Sequence, residues 1–146
     1  MTTIIASRHI KAPARRVYDL LADYHVGHPS ILPKPFFTKL EVEKGGVGEG
    51  TVFRATLRVL GSEQTYRAAV TEPEPGRVLV ETDLATGLVT TFTVDPRGPD
   101  ASYLTFETRL PQRPGVQGVV ERLVSRLLLP RVYRDEQQLI AQAVEN

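Results

Sequence analysis

Residues 51–70 read TVFRATLRVLGSEQTYRAAV, and the period of this stretch decides the fold. Phe53, Ala55, Leu57 and Val59 alternate with Arg54, Thr56 and Arg58; after Gly61-Ser62 the alternation resumes, with Gln64, Tyr66, Ala68 and Val70 opposite Thr65, Arg67 and Thr71. Successive side chains of a strand point to opposite faces, so a period of two predicts strands over 51–60 and 63–72, each with one buried face. A connection this short makes the pair antiparallel, because a parallel crossover needs about a dozen residues or more.

The same rhythm extends both ways. Strands are expected near 3–10, 37–44, 76–82, 88–95 and 101–109, separated by the turn chemistry of GGVGEG at 45–50, Pro73 to Gly76, Ala85 to Gly87 and Pro96 to Asp100. Leu88, Thr90, Phe92 and Val94 share one face, and Leu104, Phe106 and Thr108 another, against Tyr103, Glu107 and Arg109. In the strand at 76–82, Val78 and Val80 are assigned inward and Arg77, Leu79 and Glu81 outward. The result is a seven-stranded antiparallel sheet with one apolar face.

The ends carry helices. Pro13 suits a first helical position, and Val17, Leu20, Leu21 and Tyr24 recur at helical spacing over 14–24. The segment YHVGHPSILPKP at 24–35 leaves room for a short second helix around Ser30. From Pro114 to about Val144, Val116, Val120, Leu123 and Leu127 mark a buried stripe with Val119 and Val124 beside it; Pro130 is expected to kink or break the helix, and the stripe re-phases to Val132, Tyr133, Leu139, Ile140 and Val144. Arg122, Arg126, Arg131 and Arg134, interleaved with Glu121, Asp135 and Glu136, read as the solvated side.

Composition excludes several classes. With 18 Lys plus Arg against 17 Asp plus Glu and no basic run, attraction to nucleic acid or anionic lipid is weak. No apolar run approaches the ~20 residues of a membrane span, and Met1 to Lys11 lacks the order of a secretion signal, so a cytoplasmic protein without membrane insertion is expected. The absence of Cys removes thiol chemistry. One domain over 1–146 is expected, as a monomer or homodimer and without a cofactor.

Four segments carry a family likeness: IIASRHIKAPARRVYDLLADY at 4–24, GGVGEGT at 45–51, EPEPGRVLVE at 72–81, and the long final helix with its polar tail. Together with the element order they resemble the START-like superfamily, in its polyketide cyclase/dehydrase-like branch. The resemblance implies an α+β helix-grip fold: a seven-stranded antiparallel sheet curled around a long C-terminal helix, with two short helices after the first strand. It also implies an apolar tunnel between sheet and helix, and hence a small lipophilic ligand.

Candidate ligand-binding residues are Tyr24, His28, Phe53, Gln64, Tyr66, Thr90, Phe92, Phe106, Val120, Leu123 and Leu127, with Tyr24 and His28 at the mouth and Thr82 and Thr108 as further inward polar groups. The alternative is an ordinary filled core with these hydroxyls bonded to backbone. His28 and Tyr66 are the candidates for acid or base chemistry, in an enzyme that closes or dehydrates a hydrophobic ketone; no inward arginine or carboxylate is expected. A third class is a protein-interaction domain using the groove or a sheet edge. His25 and His28 with distant His9 make no metal set. GGVGEG lacks the Lys-Ser/Thr of a phosphate loop and reads as a hairpin turn, or as a gate at the tunnel entrance.

Overall fold

A computed structural model describes residues 2–59, 61–111 and 114–145, with side chains at all but Val59, Gln117, Val120 and Glu121. The elements run β1 (Thr2–Ile10), α1 (Ala14–Ala22), α2 (Gly27–Ser30), β2 (Phe37–Lys44), β3 (Val52–Val59), β4 (Ser62–Glu74), β5 (Val78–Asp83), β6 (Val89–Pro96), β7 (Ser102–Leu110) and α3 (Gly115–Val144). The seven strands form one antiparallel sheet in the order β1-β7-β6-β5-β4-β3-β2. β2 is one edge, and its register with β3 shifts between Phe37 and Lys39 and again between Val42 and Lys44.

The faces of β3, β4, β6 and β7 follow the alternation. Phe53, Ala55, Ala68, Val70, Phe92, Val94, Leu104 and Phe106 are buried, whereas half-buried Glu107 and exposed Arg109 face outward as a pair 3.8 Å apart. β5 is reversed relative to the sequence assignment: Leu79, Glu81 and Asp83 point inward, and Val78, Val80 and Thr82 lie on the outer face. Register explains this, because Ala68 pairs with Asp83 and Val70 with Glu81, and directly opposed residues share a face. Between Thr71 and Glu74 one extra residue enters β4, so phase does not carry across the β4–β5 turn.

α3 runs unbroken through Pro130, whose ring is on the exposed side. Its C-terminal half packs as expected, with Val132, Tyr133, Ile140 and Val144 buried, and Gln137 Nε2 donates to the Ala6 carbonyl of β1 at 2.9 Å. Its N-terminal half is turned from the expected orientation. Val116, Leu123 and Leu127 are 80%, 55% and 74% exposed, and the inward positions are Gly118, Arg122, Ser125 and Leu129. These continue into Val132, Glu136 and Ile140 at one helical period, so the inward stripe does not re-phase. A stripe that faces a cavity rather than packed side chains need not be apolar, which is why hydrophobicity pointed to the wrong side of this half. Among the described residues no helix is long and apolar enough to cross a membrane.

Candidate functional site

The loop after α1 places the first functional side chains. Asp23 accepts the backbone N–H groups of His25, Val26 and Gly27 at 3.1–3.3 Å and so fixes the turn that leads into the one-turn α2. Desolvation opposes ionisation of this carboxyl, but the three N–H groups prevail and hold it below the usual range. The glycine loop at 45–50 docks on the same point. Tyr24 N–H donates to Gly46 O at 2.8 Å and Gly48 N–H to Ala22 O at 2.9 Å. Tyr24 and His28 are thereby turned into the interior, where their rings stack at 4.5 Å, with Phe53 on the other face of Tyr24 at 4.9 Å. Both are buried rather than at an open mouth.

Their polar ends meet Glu81 of β5. The Tyr24 hydroxyl donates to Glu81 Oε2 at 2.5 Å, and His28 Nε2 lies 3.5 Å from the same oxygen. His28 Nδ1 lies 2.8 Å from the Leu21 carbonyl, which only accepts, so Nδ1 carries a proton and Nε2 is the nitrogen that faces Glu81. Burial pushes the Glu81 carboxyl above its usual range, against the opposing pull of His28 and the Tyr24 hydrogen bond. Glu136, from α3, is 3% exposed; burial and then the charge of Glu81 raise it well above the usual range. The sequence had placed Glu136 in solvent and both carboxylates outside the interior.

His28, Glu81 and Glu136 border a cavity of about 830 Å³ between sheet and α3, within the roughly 300–1,000 Å³ usual for ligand sites. Its wall is mainly apolar, with Leu32, Phe36, Leu57, Phe92, Leu128 and Val132 among the lining residues. The polar groups include His28, Tyr66, Glu81, Asp83, Thr90 and Glu136. Tyr66 is pushed well above the usual phenol range by burial, then by the negative charge of Glu81 and Glu136. Thr90 Oγ1 and Thr108 Oγ1 are 2.9 Å apart, and Thr108 in turn bonds the Tyr133 hydroxyl. Burial moves Tyr133 up to about 12.

Of the residues expected to bind ligand, His28, Gln64, Tyr66, Thr90 and Phe92 line this cavity. Tyr24, Phe53 and Phe106 form an aromatic layer behind the wall, with Phe106 edge-on to Phe92 at 4.7 Å and to Tyr133 at 5.4 Å. Leu123 and Leu127 face away from it, and the side chain of Val120 lies outside the described residues. The interior is a cavity rather than a filled core, and the carboxyl groups of Glu81, Asp83 and Glu136, which sequence reasoning missed, line it together with Arg54, Arg67 and Arg122. Among the described residues no three His, Asp or Glu side chains are arranged to hold a metal ion.

A curved antiparallel sheet closed over a long C-terminal helix, with a ligand-sized cavity between them, defines a START-like helix-grip protein. The family model for polyketide cyclase/dehydrase and lipid transport matches residues 1–145, and the chain belongs to that family. Comparison with curated protein sequences gives no match. Among solved structures, KanY protein superposes with a TM-score of 0.85 at 25% identity, over 99% of this chain and 98% of that one. Zhui aromatase/cyclase from a Streptomyces species superposes at 0.78 with 16% identity, over 97% and 92% of the two chains. A START superfamily protein from Mycobacterium smegmatis gives 0.75 at 15% identity, over 98% and 97%. The last two likenesses establish fold alone.

Proposed function

We propose that the protein binds a small lipophilic molecule in the cavity between sheet and α3, as a carrier or sensor. One observation carries this reading: about 830 Å³ of interior is left unfilled, walled by apolar side chains and supplied with a few convergent polar groups. Such a void weakens packing, so a ligand that fills it stabilises the native state by mass action. The test is thermal unfolding of the full chain with a panel of apolar probes of graded size. A rise in melting temperature that saturates with probe concentration supports the proposal, and no rise with any probe overturns it.

A second reading, catalysis, is favoured by the Tyr24–Glu81–His28 cluster. A buried carboxyl of raised pKa beside an imidazole is suited to moving protons near neutrality. On a bound poly-ketone, one group would take a proton from a carbon next to a carbonyl and another would protonate the oxygen of the ketone attacked as the new C–C bond forms. Loss of water would follow by proton delivery to the departing hydroxyl. Zhui is described as an aromatase/cyclase, which fits this chemistry. Turnover of a ketone substrate that survives both His28→Ala and Glu81→Gln would reject these roles.

A further inference from the structure

We infer that Glu136 anchors the ligand, and that the ligand is an uncharged apolar molecule presenting a hydrogen-bond donor and an acceptor side by side, as a lactam does; this rests on the cavity being the binding site. Glu136 is 3% exposed and lines the cavity from α3. Other polar groups of the wall have protein partners: Glu81 has Tyr24 and His28, Thr90 has Thr108, and Asp83 has Thr86. Glu136 has no hydrogen-bond or ion-pair partner among the described residues. The one unpartnered side-chain atom sealed inside the protein, among those residues, is Asp83 Oδ1, so the carboxyl oxygens of Glu136 stay open to the cavity. A buried polar group left unbonded is unfavourable, and a ligand that completes it gains more there than at a surface site.

The proton on this group selects the chemistry of the ligand. Two glutamates share the interior, and Glu81 has the Tyr24 hydroxyl at 2.5 Å and the His28 ring at 3.5 Å to stabilise a charge. Glu136 has neither, and burial together with the charge of Glu81 favours its neutral form. The arginines of the wall are directed elsewhere or distant. Arg54 and Arg67 pair with Glu43 at 3.4 and 2.6 Å, and Arg122 stands about four turns earlier on α3, roughly 20 Å along the axis. A neutral carboxyl offers an O–H donor and a carbonyl acceptor on one edge. A ketone satisfies only the O–H, and a carboxylate ligand would bring another negative charge into a buried site beside Glu81. A lactam satisfies both: its C=O accepts the Glu136 proton and its N–H donates to the carboxyl oxygen. Leu129, Val132 and Tyr133, within two turns on the same helix face, supply apolar surface for the rest of the molecule.

The experiment compares 2(1H)-quinolinone with its 1-methyl derivative, which keeps the carbonyl and loses the N–H, by calorimetric titration of the full chain at neutral pH. The parent lactam is expected to bind about tenfold more tightly. Glu136→Gln, whose amide also sets a donor beside an acceptor, should keep that preference, whereas Glu136→Leu should bind both probes equally. Equal binding of the two probes by wild type overturns the inference and leaves the cavity reading standing. So does a preference that survives Glu136→Leu, which would trace it to the bulk of the methyl group, or one that is lost in Glu136→Gln, which would trace it to charge. If neither quinolinone binds while a plain apolar probe does, the inference falls and the cavity reading stands. Binding of no probe at all removes both readings. Glu136→Ala replaces Glu136→Leu if the latter does not fold.

Discussion

His28 Nε2 and Glu81 Oε2 lie 3.5 Å apart, while Nδ1 of the same ring is committed to the Leu21 carbonyl at 2.8 Å. Nitrogen-resolved NMR of the three histidines should find His28 protonated at Nδ1 throughout the range in which the fold persists. A ring protonated at Nε2 alone would contradict the geometry.

Glu81 and Glu136 set a pH dependence of stability. Both carboxyls are raised in the native state from an ordinary value of 4.5, so the native protein holds protons that the unfolded chain has released. Stability therefore falls as pH rises from 4.5 toward the raised native values. Glu136→Gln should stabilise the protein at neutral pH by on the order of 1–2 kcal/mol and flatten this decline. Denaturant titrations across that window measure it, and a slope unchanged by the substitution would refute the assignment.

Gly27 lets α2 sit against α1. A Cβ there would fall 2.4 Å from the Leu20 carbonyl oxygen, a backbone atom that cannot rotate away. Gly27→Ala should cost about 1–3 kcal/mol and displace His28, weakening any probe held by the cavity. At Gly50, where a Cβ meets nothing within 4 Å, alanine should cost less, through its φ of +93° alone. Equal losses at the two positions would show that contact with Leu20 is unimportant.

The two halves of α3 should respond oppositely to truncation. Ile140 is fully buried, and Ile140→Ala is expected to lose about 2–5 kcal/mol. Leu127→Ala removes a side chain that is mostly in solvent and should change stability by less than about 0.5 kcal/mol. Chemical denaturation of both variants checks the orientation of the helix directly.

Most of the architecture was legible because β3, β4, β6 and β7 each contrast an apolar with a charged or hydroxylic face. Val78-Leu79-Val80 offers no such contrast, and the inserted residue near Thr71 hides the phase that pairing with Ala68 and Val70 imposes. Assigning Glu81 to solvent followed the general tendency of carboxylates, which fails where a wall borders a cavity. The same physics hid Glu136. One signal was available: Gly118, Arg122, Ser125, Leu129, Val132, Glu136 and Ile140 keep a single helical period through Pro130, whereas the apolar residues require a change of phase. The inward placement of His28 and Tyr66 was legible because an aromatic body with a polar tip suits the boundary between core and cavity.

The edge formed by β2 bears on strand pairing between chains. An open sheet edge offers unpaired backbone groups to any other strand. Here Lys39 and Glu41 form an exposed pair at 3.3 Å, Glu43 and Lys44 are also exposed, and the register breaks near both ends of the strand. Charges and bulges make this edge a poor template for a second chain. The protein can thus keep an unfilled interior beside an unclosed sheet, two features that together would otherwise invite aggregation during folding.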